Sequence, residues 1–161
     1  MLILLVDMLL DIIIFFIIAQ LATVIHQLGH AIIGLIFTND KVMISLGGDN
    51  VKRTFNIGRL NVEIRNFSPF VGFVHCNFRN AKKFEKSLFF LAGPVISFLM
   101  AIIIYFSANN IALDSTYISI LKVYAGYFFL QGVLTIIPIQ YCDMFGVYKG
   151  TSSDGYNAFN I

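Results

Sequence analysis

Between Ile12 and Phe37 no residue carries a formal charge, and the run is longer than the ~20 residues that an α-helix needs to cross a bilayer. Such a segment excludes an ordinary soluble fold, because a surface helix needs a polar face and this one has none. Two more stretches qualify by the same criterion. The three expected spans are about Met8 to Phe37, Ser87 to Ser107 and Tyr117 to Ile139. With 58% hydrophobic and 12% charged residues in 161, the chain reads as one α-helical integral membrane domain over residues 1–161. The first span is not expected to be a cleaved signal, since Asp7 and Asp11 open it where a signal carries basic residues.

Charge placement predicts orientation. Nine of the eleven Lys and Arg residues lie between Lys41 and Lys86, whereas the loop from Asn109 to Thr116 carries only Asp114. The positive-inside rule then puts residues 38–86 and the C-terminus in the cytoplasm and the N-terminus outside, in a multi-pass protein expected in a bacterial cell membrane. A net charge of +2 gives no reason to invoke nucleic acid. The basic loop is expected to touch anionic lipid headgroups of the bilayer. Cys76 and Cys142 fall on the cytoplasmic side, where thiols stay reduced, so no disulfide is expected.

Residues 42–76 change character. Val42 to Leu46, Val51 to Ile57, Leu60 to Ile64 and Phe70 to His75 are rich in β-branched and aromatic residues near alternation, with Gly47-Gly48-Asp49-Asn50 as a turn. They predict a small membrane-associated β-sheet, or a set of hairpins, between the first and second spans. Backbone edges cannot face lipid unpaired, so the sheet packs on protein or lines a wet cavity. Its edge either adds a strand from a peptide or plugs the cytoplasmic side. Asn80 to Lys86 is a basic, amphipathic approach to the second span, in which Leu91-Ala92-Gly93-Pro94 allows close helix contact.

Ionisable groups inside an apolar span are costly and mark function. His26 and His30, four residues apart, share one helix face and are placed to ligate one metal ion. Gln27, between them, projects near the same face. A Glu there would serve as general base; a carboxamide has almost no basicity near neutral pH, yet matches Glu in size and still hydrogen-bonds. The pattern predicts a metal site that binds and barely hydrolyses.

Taken in order along nearly the whole chain, these motifs resemble the site-2 protease family of intramembrane zinc metalloproteases. His26-Gln27-Leu28-Gly29-His30 is similar to its His-Glu-x-x-His helix. The Gly47-Gly48 region and Ser68-Pro69-Phe70-Val71-Gly72-Phe73 resemble its membrane-associated sheet, and Ala92-Gly93-Pro94 resembles its second-helix signature. The tail from Pro138 to Gly155 is similar to its Asn-x-x-Pro…Asp-Gly segment, which supplies the third ligand. The resemblance implies Zn2+ held by His26, His30 and an aspartate. Asp154 is preferred because a Gly follows it and lets the backbone turn toward the metal; Asp143 is the alternative. It further implies cleavage of a membrane-spanning or membrane-bound peptide near its cytoplasmic end. Gly47, Gly48, Gly72 and Phe73 are candidate peptide contacts, and a partner protein is a candidate for substrate selection. Substrates in the family include membrane-tethered regulators, signal-peptide remnants and precursors of secreted peptides.

Three positions depart from the family pattern. Gln27 replaces the base, Thr135 stands where Asn is usual, and Ser97 stands where Asn often follows the Ala-Gly-Pro turn. Thr135 is a candidate donor to substrate backbone or a developing oxyanion. Gln27 is either an engineered trap or the mark of a natural pseudoprotease, and a non-enzymatic membrane binding or regulatory protein is the competing reading. His75 is expected to be a half-exposed structural residue, Lys122 to snorkel, and the pairs Phe15-Phe16, Phe89-Phe90 and Phe128-Phe129 to face lipid or pack.

Overall fold

The computed structural model describes residues 2–79 and 81–161; Asn80, the first residue of the expected basic approach, lies outside the described residues. Three long helices carry the chain: α1 (Leu2–Phe37), α2 (Lys83–Asn110) and α3 (Ser115–Ile136). All three are long and apolar enough to cross a membrane. The sheet falls between α1 and α2 as β1 (Val42–Leu46), β2 (Val51–Ile57), β3 (Leu60–Arg65) and β4 (Gly72–Cys76). A short 3₁₀ turn (Asp143–Tyr148) and α4 (Asp154–Phe159) close the chain.

The helix ends differ from the expected ones for local reasons. Residues 83–86 are not an approach but the first turn of α2, because Glu85 reaches back to accept the Lys82 backbone N–H at 2.8 Å and satisfies an otherwise orphaned donor. The third helix stops at Ile136 rather than Ile139. Pro138 disfavours helical geometry at the residue before it, and Ile137 is extended. With 36 residues, α1 is about 54 Å long, well beyond what one crossing requires.

Strand order is β2-β3-β1-β4, with β1 parallel to β3 and antiparallel to β4. The Gly47–Asn50 turn therefore does not join a hairpin; the one tight hairpin is β2–β3, which loops back so that β3 lies alongside β1. Gly47 has φ of +101°, and an added Cβ there would meet the Asn66 carbonyl at 2.2 Å, so only glycine fits this crossover. The sheet sits on the second half of α1, where Val42 and Ile44 bury against Ala31 with Leu35, Leu60 and Val74 around them. Arg59, in the β2–β3 turn, donates to the Leu35 carbonyl at 2.8 Å and to that of Thr38. A cation thereby covers the unpaired carbonyls at the end of α1.

Small residues set the helix spacing. Ala22, Ala101 and Phe128 join α1, α2 and α3. A Cβ on Gly29 would stand 2.7 Å from the Ala92 carbonyl oxygen and 2.8 Å from Ile96 Cγ2, so the backbones of α1 and α2 approach closely there. Gly126 on α3, by contrast, faces open space. Gly29→Leu is expected to destabilise by about 1–3 kcal/mol through overpacking, read as a lower unfolding midpoint in detergent. Gly126→Ala is expected to hold or raise that midpoint, since alanine is the better helix former.

Candidate metal centre

His26 and His30 lie on the face of α1 turned toward α2, and both are buried. Asp154, at the first position of α4, reaches the same point. Nε2 of His26 stands 3.1 Å and Nε2 of His30 3.4 Å from Asp154 Oδ2, and the two nitrogens are 3.2 Å apart. The cluster is the group of His, Cys and acidic side chains that lies close enough to hold a metal ion among the described residues.

The partners behind the imidazoles decide what these three atoms carry. His30 Nδ1 donates to the Phe89 carbonyl at 2.7 Å, which fixes the proton on Nδ1 and leaves a lone pair on Nε2. His26 Nδ1 is 2.9 Å from Ser97 Oγ, whose hydroxyl lies 3.5 Å from Gln131 Oε1. With that hydroxyl donating onward, His26 is the donor to Ser97, and its Nε2 also carries a lone pair. With both imidazoles neutral, two lone pairs and a carboxylate oxygen thus converge, an arrangement that repels itself unless a proton or a metal cation lies among them. Hydrogen bonds of this type, made by the ring nitrogen turned away from the ion, orient histidines that ligate a metal. In a tetrahedral site with bonds of about 2.0–2.1 Å, donor atoms stand about 3.3–3.4 Å apart, close to the three separations here. The set fits a divalent cation and does not by itself single out zinc.

Glycine keeps the central space open. A Cβ on Gly93 would come 2.2 Å from His30 Nε2 and 2.7 Å from His26 Nε2, filling the place a cation would take. Gly155 is needed for a reason different from the expected one. Its backbone has no unusual φ; an added Cβ would lie 1.8 Å from the Ile136 carbonyl oxygen. The Asp-Gly pair therefore marks close docking of α4 on the end of α3. Ser153 locks the same junction, capping α4 through Tyr156 N–H at 3.1 Å and donating to the Ile137 carbonyl at 2.7 Å. Burial would raise the Asp154 pKa, but where a proton rather than a metal lies on the imidazole pair, His30 and His26 outweigh that and hold the carboxyl well below the usual range.

A cavity of about 600 Å³ opens beside the cluster, lined by Gln27, Gly72, Phe73, Gln131, Thr135 and Tyr148 among others. Gln27 is buried and makes no side-chain hydrogen bond among the described residues, so its carboxamide is free for a ligand. Thr135 lines the cavity, but its hydroxyl donates back to the Gln131 carbonyl at 2.9 Å, which engages the proton it was expected to offer. Gly72 and Phe73 reach the cavity wall; Gly47 and Gly48 are not on it, because they follow β1, one strand in from the edge strand β4 that lines it. Asp143 is also elsewhere: it is exposed and pairs with Lys149 at 3.2 Å. Phe89 and Phe90 line the cavity rather than only packing outward. His75 is exposed, and Cys76 and Cys142 are free thiols.

Ser97, Gln131 and Tyr148 carry roles the sequence did not assign. A lone Ser on an apolar helix signals a buried partner, yet only folding reveals which one. The sequence matches no protein-family model and no curated protein.

Asp154→Asn is expected to weaken Zn2+ or Co2+ binding by more than the ~10–100-fold typical of losing an outer partner, and Ser97→Ala by an amount within that range. Asp143→Asn is expected to change nothing. Titration of the purified protein with Co2+, followed by its visible absorption, separates the three; equal loss for both aspartate variants would refute the assignment.

Proposed function

We propose that the chain is an intramembrane zinc metalloprotease of the site-2 protease type, lying in a multi-pass arrangement with its cleavage chemistry held off by Gln27. The observation that carries this reading is the convergence of His26 Nε2, His30 Nε2 and Asp154 Oδ2 at 3.1–3.4 Å beside an apolar cavity. His26, His30 and Asp154 would hold the ion, leaving a fourth position open as catalytic zinc sites require. When bound, zinc supplies Lewis acidity toward a scissile carbonyl and lowers the pKa of water.

The chain's own residues do the remainder. The cavity gives access to the cluster, and its Phe, Tyr and Leu walls suit apolar side chains of a membrane-bound peptide. Gln27 occupies the position from which a Glu would take and return a proton. It retains the hydrogen-bonding capacity to hold a ligand while lacking the basicity to turn it over.

The orientation proposed with it rests on charge placement. The sheet, the start of α2 and α4 share the end of the bundle that carries nine of the eleven basic residues, and the α2–α3 connection holds only Asp114. The basic end is assigned to the cytoplasm, against anionic lipid, with the N-terminus outside. A non-catalytic binding protein is the second reading, favoured by the missing base at Gln27; it would fold and hold its client without metal.

Gln27→Glu is expected to raise cleavage of a single-span peptide by about 10²–10⁴-fold, the usual worth of a positioned base, and a chelator is expected to abolish the gain. Peptide fragments resolved by mass spectrometry provide the measurement. A variant that binds the peptide and Zn2+ but gains no cleavage would remove the protease reading and leave the binding role.

A further inference from the structure

Sheet order leaves β4 with a neighbour, β1, on one side alone. Gly47 N–H donates to the Val71 carbonyl at 2.9 Å, so by strand alternation Gly72, the first residue of β4, directs its N–H to the other edge, and the Phe70 carbonyl, in the turn just ahead of β4, opens to the same side. That edge is one wall of the cavity. It is not bare. The Tyr148 hydroxyl accepts the Gly72 N–H at 3.1 Å and donates to the Phe70 carbonyl at 2.9 Å.

One phenol thus does what a paired strand does: it accepts from an amide as a peptide carbonyl would and donates to a carbonyl as a peptide N–H would. Its ring packs on Phe73 and Tyr141 at centroid distances of 4.9 and 5.4 Å. Burial pushes its pKa up to about 12, so the hydroxyl stays protonated and keeps both bonds at physiological pH.

The segment that carries Tyr148 is fastened at its base and nearly free at its tip. Gln140 and Ser152 form a bridge, and Tyr141 N–H donates to the Thr151 carbonyl at 2.9 Å. Gly146 and Gly150 have positive φ and flank the tyrosine. Met144 is 92% exposed, and the Asp143–Lys149 pair stays within the loop. Among the described residues, the hydrogen bonds that tie residues 143–149 to chain outside the loop all pass through the Tyr148 hydroxyl.

We infer that Tyr148 is a stand-in for peptide backbone: its hydroxyl holds the Gln140–Ser152 loop over the free edge of β4, and an extended peptide reaches the metal cluster only by displacing it. The inference rests on the proposed function, in which a peptide lies beside a metal held by His26, His30 and Asp154. It adds a residue that sets entry. Peptides able to form at least two backbone hydrogen bonds with Phe70 and Gly72 replace the phenol at no net loss of bonds, whereas small metal-binding molecules have no need to.

The test compares two probes on the zinc-loaded, detergent-purified full chain: acetohydroxamate, which needs the metal alone, and a leucine-containing peptidyl hydroxamate, which needs both metal and strand edge. Tyr148→Phe keeps the ring and its packing and removes the two hydrogen bonds. Peptidyl hydroxamate is expected to bind the variant on the order of tenfold more tightly than the parent, the equivalent of one to two neutral hydrogen bonds, while acetohydroxamate binds both alike. Equal affinity of the peptidyl probe for parent and variant overturns the latch and leaves the metal site standing. Binding of neither probe to either protein overturns the metal reading on which the latch rests. Hydrogen exchange at the Gly72 amide provides a check that needs no ligand: faster exchange in Tyr148→Phe is expected, and an unchanged rate overturns the latch whatever the probes do.

Discussion

Three electron-pair donors meeting inside an apolar bundle is the constraint from which the rest of this structure follows. Placing His26 Nε2, His30 Nε2 and Asp154 Oδ2 within 3.1–3.4 Å of one another is unfavourable without a cation, and the fold enforces it from three directions. Phe89 and Ser97 on α2 fix the imidazoles from behind. Gly93 on the same helix keeps the middle clear. Ser153 and Gly155 clamp α4 onto the end of α3 so that Asp154 points inward. A buried polar cluster with every outer partner satisfied is rigid, and rigidity in a metal site favours one coordination geometry over its alternatives.

The apolar length of α1, the histidine spacing and the small residues of α2 were legible in the sequence because each is a local pattern. Period, spacing and composition sit within a few turns of one helix. That Asp154 rather than Asp143 lies beside the histidines was legible through the Gly that follows it, although for a different physical reason: not a turn in the backbone but the absence of a Cβ against Ile136. The sheet was legible as strands and not as a topology. Parallel pairing of β1 with β3 depends on where Arg59 and Gly47 deliver the chain, and no alternation of side chains encodes that. Ser97, Gln131 and Tyr148 were illegible for the same reason. Their partners lie 71, 34 and 76 residues away, and a single polar side chain in an apolar or aromatic stretch does not name the group it will meet.

Helices and sheet contribute different halves of the site, and two contacts bring them into register. Thr23 Oγ1 donates to the Pro69 carbonyl at 2.8 Å, joining α1 to the chain just ahead of β4. One turn further along α1, Gly72 lies so near that an added Cβ would be 2.9 Å from Gln27 Cγ and 3.0 Å from Gln27 Nε2. The Gln27 side chain therefore lies directly against β4. A base at that position acts on a peptide bond only if the peptide is held straight along β4, because a helical segment keeps its amides bonded to itself and too far from the edge to pair. On the proposed function the sheet would be part of the reaction site rather than a cover for it. A side chain at Gly72 would push β4 away from α1 and separate the strand from Gln27, even with His26, His30 and Asp154 in place.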